Sequence, residues 1–120
     1  MRLASNFIVK VRWKAIVKML QSATPLLRTL IFLNVKEEAL NNTLTRIGAK
    51  LTYLRKKKGY TSHEDFAYDF ELPRVQYWRI EKGKANITIK SLCKLLTIHN
   101  LSVEEFFYLM YKEYKETKKV

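Results

Sequence analysis

The stretch SHEDFAYDFELPRVQYWRIEKG, from Ser62 to Gly83, decides the fold because it predicts two short helices joined by a tight turn at residues 69–72. The second helix is expected to begin at Pro73, with an inward face made of apolar side chains. Opposite that face, one continuous stripe follows the helical spacing: Arg74, Val75, Trp78, Arg79 and Lys82. Three cations and a large aromatic have no evident use inside a core, so this stripe is predicted to be a binding surface.

The charge of the chain indicates what such a surface binds. Lys and Arg total 23 against 11 Asp and Glu, which gives a net charge of +12. A surplus of this size favours a polyanionic partner, nucleic acid first and an anionic membrane second. A basic protein without such a partner is the plainer alternative. We therefore interpret the stripe on the Pro73 helix as a surface that reads DNA.

Length and composition predict one helical domain with an appendage. The chain has 120 residues, of which three are glycine and two are proline, and this argues against a turn-rich β fold. The one cysteine, Cys93, lies in an apolar pattern, excludes an internal disulfide and suits a reducing cytoplasm. No apolar run reaches the length of a membrane span, and cations at Lys10, Arg12 and Lys14 interrupt a possible signal-peptide core.

Residues 1–42 form an N-terminal extension whose pattern is ambiguous. The segment 6–17 fits a half-buried strand, and its spacing fits a helix as well. Thr24 can cap a helix that starts at Pro25 and continues through an apolar run, with Asn41 and Asn42 expected to break it. Three interpretations are open: an arm that packs on the domain, on a second subunit or on a partner protein; a membrane-surface helix; or a non-functional upstream segment, with Met19 as a later start.

From residue 43 onwards the pattern predicts five helices. The first covers 43–58 and ends at Gly59, and the second begins at Thr61 or Ser62. The third begins at Pro73, while capping residues Thr88 and Ser102 precede the fourth and fifth. The predicted fold class is therefore all-α, with a domain at 43–110 and a charged C-terminal tail at 111–120.

Several pieces, in order, resemble the Cro/CI-type (XRE-like) helix-turn-helix family of bacterial and phage regulators. They are LRKKKGY at 54–60, FA at 66–67, RIEKGK at 79–84, NITIKSLCKLL at 86–96 and LSVEEFF at 101–107. The resemblance covers about residues 44–108. It implies a five-helix, lambda-repressor-like domain whose third helix enters the major groove of duplex DNA.

The resemblance also implies roles for individual residues. Base contacts fall on four residues of the third helix: Arg74, Val75, Gln76 and Arg79. Phosphate contacts fall on the start of the second helix and the loop after the third: Ser62, His63, Lys82, Lys84 and Asn86. Arg55 and Glu81 correspond to a structural ion pair of the family. Arginine matches the guanine edge and Val75 can meet a thymine methyl. Trp78 is expected either on the groove wall or against the N-terminal arm.

Two departures from the family pattern affect the expected phosphate contact and the turn. Between Gly59 and Phe66 there is one residue more than usual, so the phosphate contact belongs to Ser62 or His63. The turn position that is usually glycine is Glu71, and a left-handed conformation there would cost about 1–2 kcal/mol. The turn is therefore expected to be built differently, with Pro73 setting the start of the next helix.

No motif for catalysis or metal binding is visible. His63 and His99 lack ligand spacing, and no phosphate-binding glycine loop or catalytic triad appears, so neither enzyme activity nor a cofactor is expected. The predicted function is sequence-specific DNA binding by a cytoplasmic transcriptional regulator, more specifically a repressor. Because one domain covers one half-site, a homodimer is expected. The alternatives are a DNA-binding antitoxin and a protein-interaction module on the same scaffold.

Overall fold

The computed structural model describes residues 12–19, 21–22 and 24–119, and every regular element among them is an α-helix. Residues 12–19 are helical. Five further helices follow: α1 (Pro25–Lys57), α2 (His63–Asp69), α3 (Arg74–Glu81), α4 (Ile89–Ile98) and α5 (Val103–Thr117). The chain divides into two compact units between Ala39 and Leu40. None of the helices in the described ranges is long and apolar enough to cross a membrane.

The predicted break at Asn41 and Asn42 is wrong, because α1 runs without interruption from Pro25 to Lys57. An asparagine costs a helix interior only about 0.7 kcal/mol, and neither glycine nor proline stands near these two residues to reinforce the break. The count of five helices is also inexact, since the helical residues 12–19 precede α1. Of the ambiguous segment 6–17, residues 12–17 are helical. Residues 6–11 lie outside the described residues.

In the first unit, the part of α1 before residue 40 exposes most of its apolar side chains, among them Leu26, Leu30 and Phe32. In the second unit the core is formed by all five helices. Its most completely buried side chains are Leu51, Phe66, Leu92, Leu96 and Phe106. α5 continues to Thr117, so helix extends into the segment predicted as a tail.

Phe66 of α2 is the aromatic centre of this core. Its ring stacks on Tyr77 of α3 at 5.1 Å between centroids and on His99, after α4, at 5.4 Å. Burial of the imidazole and the nearby Lys58 lower the pKa of His99, although Glu81 acts in the opposite direction. The neutral ring is therefore the form that the folded core favours. One aromatic side chain thus connects α2, α3 and the end of α4.

Four of the helices end in the same way, with a left-handed residue that lets two backbone N–H groups reach back to the last turn. The left-handed residues are Gly59 after α1, Glu71 after α2, Gly83 after α3 and Asn100 after α4. After α2, Glu71 N–H donates to Tyr68 O at 3.2 Å and Leu72 N–H donates to Ala67 O at 2.8 Å. The expectation that this turn is built differently was wrong: it keeps the usual geometry with a residue that is strained in it.

Glu71→Gly is expected to stabilise the protein by about 0.5–1 kcal/mol. Glycine removes the left-handed strain, and its greater freedom in the unfolded chain offsets part of the gain. Thermal unfolding of both proteins measures the difference. Asn100→Gly is the matched control and should gain less, because asparagine tolerates a φ of 54° better than glutamate tolerates 52°. Equal or lower stability of Glu71→Gly would contradict the strain argument.

Candidate DNA-binding surface

α3 has one face in the core and the other in solvent, as the sequence predicts. Tyr77 and Ile80 are 2% and 8% exposed, whereas Val75 is 74% exposed. The side chains of Arg74 and Arg79 are also exposed. The helix begins one residue later than predicted, because Pro73 is its N-cap, in an extended conformation and without a side-chain cap. The exposed stripe predicted from the sequence therefore starts in the first turn of α3.

A buried ion pair fixes the C-terminal end of α3 to the end of α1. Arg55 Nε donates to Glu81 Oε1 at 2.7 Å and Arg55 Nη2 donates to Glu81 Oε2 at 3.2 Å, with both side chains almost inaccessible to solvent. Arg55 Nη1 also donates to the carbonyl oxygens of Tyr60 and Thr61 at 2.8 and 2.7 Å. The hydrogen bond to Glu81 raises the pKa of Arg55 despite its burial. One guanidinium thus connects α1, the loop before α2, and α3.

Two glycines allow the backbones of α1 and α3 to approach very closely. A Cβ on Gly48 would lie 2.4 Å from Glu81 O and 2.6 Å from Ile80 O. A Cβ on Gly83 would lie 2.8 Å from the Cα of Thr45. Gly48 could not be identified from the sequence, since a glycine inside a helical pattern gives no sign of what lies beside it. The end of α3 is therefore positioned by backbone contact as well as by the ion pair.

The start of α2 resolves the choice between Thr61 and Ser62 as the cap. The Ser62 hydroxyl accepts hydrogen bonds from the N–H groups of Glu64 and Asp65, at 3.1 and 3.3 Å. A hydroxyl that accepts in this way keeps its own proton to donate. His63 is the first residue of α2, and both His63 and Ser62 are half-buried. The two candidate phosphate contacts therefore lie side by side at this helix start.

The loop after α3 carries the remaining candidates. Lys82, Lys84 and Asn86 are all exposed. The structure brings two of the candidates together: Arg79 Nη2 donates to the Lys84 carbonyl oxygen at 3.4 Å. The Lys84 ammonium lies 5.2 Å from the centre of the half-buried Trp78 ring. The loop and α3 thus meet through the side chains of Arg79 and Trp78 and through both the carbonyl and the ammonium of Lys84.

Gln76 lies beside the exposed stripe of α3. It is exposed, and it lines a shallow groove between α3 and α4 together with Pro73, Ser91 and Lys94. Among the described residues no group of three His, Cys, Asp or Glu side chains could hold a metal ion. The chemistry that the surface offers is therefore hydrogen bonding, apolar contact and positive charge.

Two known control proteins are similar to this chain in sequence. No family model matches the chain. Control protein C.MunI from Mycoplasma sp is 36% identical over 74 residues, which are 62% of this chain and all of that protein. Plasmid copy control protein CopR from Streptococcus agalactiae is 40% identical over 47 residues, covering 39% of this chain and 51% of that one.

Solved structures show the same relationship at the level of the fold. Two crystal structures of point mutants of the restriction-modification controller protein C.Esp1396I are 33% identical to this chain, with a TM-score of 0.51. The match covers 58% of this chain and 87% or 92% of the crystallised chains. The fold of the described domain is thus that of a helix-turn-helix controller protein.

The all-helical fold, the exposed basic face of α3 and the relatives together define a class of protein, the DNA-binding transcriptional regulators. Within it, this chain belongs to the Cro/CI-type (XRE-like) helix-turn-helix family, to which the controller proteins it resembles also belong. The family resemblance found in the sequence is thereby confirmed.

Proposed function

We propose that this protein places α3 in the major groove of a DNA operator and controls transcription from it as a repressor in the cytoplasm. The observation that carries the proposal is the division of α3 into a buried face and an exposed basic face. Arg74 and Arg79 each present a guanidinium that matches the O6 and N7 atoms of guanine, and Val75 presents an apolar surface for a thymine methyl. Gln76 would reach a base only from the flank of the helix.

The same pose gives the phosphate contacts a physical basis. Ser62 and His63 at the start of α2 would meet the DNA backbone on one side of α3, and Lys82, Lys84 and Asn86 would meet it on the other. Such contacts neutralise phosphates, so binding should weaken steeply as salt is raised. Base contacts on α3 would then add the sequence preference.

We propose that the protein binds as a homodimer on an operator with two half-sites about 34–36 Å apart. The surface that fits this role is the outer side of α5, where four aromatic side chains are exposed: Phe107, Tyr108, Tyr111 and Tyr114. Large aromatics are enriched in the buried centres of protein interfaces. A partner for residues 1–42, whether a toxin or another protein, stays a prediction, as does a boundary of the domain at residue 43.

The relatives support a proposal for the genes under control. Both solved structures are of a controller of restriction and modification, and the alignment with C.MunI spans that protein completely. We propose a similar task here, the control of restriction and modification genes. CopR supports the same general activity for a different set of genes, because its name states control of plasmid copy number.

Selection of duplexes from a random pool, followed by mobility-shift measurements on the selected site, tests the proposal. Arg74→Ala and Arg79→Ala should each weaken binding to that site about 5- to 150-fold, as the loss of one bidentate arginine–guanine pair does. Lys119→Ala removes one exposed cation that is not among the proposed contacts and serves as the control. If both arginine variants bind as the wild type does, α3 is not the reading helix and a protein-interaction role would take precedence.

A further inference from the structure

We propose that Trp78 is a positioning residue that holds Lys84 against the DNA backbone, an inference that rests on the proposed function. From the sequence, Trp78 is expected either on the groove wall or against the N-terminal arm. The structure instead gives its ring a cation as neighbour, because the Lys84 ammonium lies 5.2 Å from the ring centre. That distance is within the range in which a cation is attracted to the face of an indole.

The backbone of Lys84 is fixed independently of this contact. Its N–H donates to Arg79 O at 2.8 Å, while Gly83 N–H donates to Ile80 O at 3.1 Å, and Gly83 is left-handed. These two bonds form the hydrogen-bond pair that closes a helix with a Schellman motif. Lys84 is thus the second residue beyond the C-cap, and its Cα has a set position relative to α3.

The side chain of Lys84 would be free to spread in solvent if only its backbone were held. A lysine loses about 1.5–2 kcal/mol of rotamer freedom when it is fixed. The Trp78 ring restricts the ammonium before DNA arrives, so less of that entropy is lost on binding. The Lys84 carbonyl also accepts from Arg79 Nη2 at 3.4 Å, which restrains a proposed base-reading side chain as well.

The consequence is a physical coupling between a phosphate contact and a base contact. Trp78 and Arg79 are adjacent on α3, and Lys84 meets the first through its ammonium and the second through its carbonyl oxygen. The indole itself need not touch DNA for this effect. Trp78 is half-buried, so one part of the ring can pack on the protein while another supports the cation.

A double-mutant cycle on the selected operator tests this inference. Lys84→Ala should weaken binding and reduce the slope of log K against log salt by about 0.9, the value for one phosphate contact. Trp78→Ala should weaken binding about two- to fivefold, in the range of an exposed cation–π contact. In the Lys84→Ala background, Trp78→Ala should have almost no further effect. Trp78→Phe, as a single substitution, should retain most of the affinity that Trp78→Ala loses.

Thermal unfolding of each variant separates positioning from folding. If Trp78→Ala weakens binding equally with and without Lys84, the ring acts by another route and the inference is overturned. If Lys84→Ala leaves the salt slope unchanged, Lys84 does not contact phosphate and the inference is overturned as well. Both results leave the proposed base-reading role of α3 intact, because that role fails only if Arg74→Ala and Arg79→Ala leave operator binding unchanged.

Discussion

Glu81→Ala is expected to destabilise the folded protein by about 3–5 kcal/mol, because it leaves the buried Arg55 guanidinium without its counter-charge. The carbonyls of Tyr60 and Thr61 would still accept from Arg55 Nη1, but they carry no net charge. A domain of this size has a total stability of about 5–15 kcal/mol, so the variant would lose a large share of it. Urea denaturation followed by circular dichroism measures the loss.

Two further variants make the result specific to the buried pair. Glu116→Ala removes an exposed carboxylate of α5 and should change stability by no more than about 0.5 kcal/mol. The combined Arg55→Met and Glu81→Leu variant removes both charges and should recover much of the loss, as apolar replacements of buried pairs do. A Glu81→Ala protein as stable as Glu116→Ala would show that the pair does not hold the fold.

Gly48→Ala is expected to destabilise the protein by about 1–3 kcal/mol, although alanine is the better helix former. The added Cβ would lie 2.4 Å from Glu81 O and 2.6 Å from Ile80 O, and a backbone carbonyl cannot turn aside as a flexible side chain can. The end of α3 would have to move away from α1 and strain the Arg55–Glu81 pair. Urea denaturation and operator binding should therefore both be affected.

Ala49→Gly is the matched control for the neighbouring position. Ala49 is exposed on α1, so its replacement should cost only the difference in helix propensity, about 1 kcal/mol, and should leave operator binding unchanged. If Gly48→Ala instead raised the stability, as helix propensity alone would predict, that result would contradict the close approach of the two backbones.

Much of the second unit could be predicted from the sequence, because capping residues and apolar spacing agree there. Ser62, Thr88 and Ser102 cap their helices, and Asn100 takes the left-handed conformation proposed for it. The break at residues 41–42 could not be predicted in the same way. Helix propensities of single residues are small, and a continuous hydrogen-bond ladder in α1 outweighs them.

The parts of the candidate surface that escaped prediction depend on contacts between segments. Gly48 is close to Glu81 only because two helices cross there, and Trp78 is close to Lys84 only because Gly83 reverses the chain. Neither contact produces a periodic pattern in the sequence from which it could be predicted. The Arg55–Glu81 assignment, by contrast, came from the family resemblance, which carries three-dimensional information that spacing alone lacks.

The backbone contact between α1 and α3 has a consequence for how such a protein can change its target. Gly48 and Gly83 hold the end of α3 through main-chain atoms, which no substitution on the outer face of the helix alters. Arg74, Val75 and Arg79 can therefore be exchanged without moving the helix that bears them. In the proposed binding mode, replacing a few exposed side chains would change the operator preference, while the stability of the domain would be left nearly untouched.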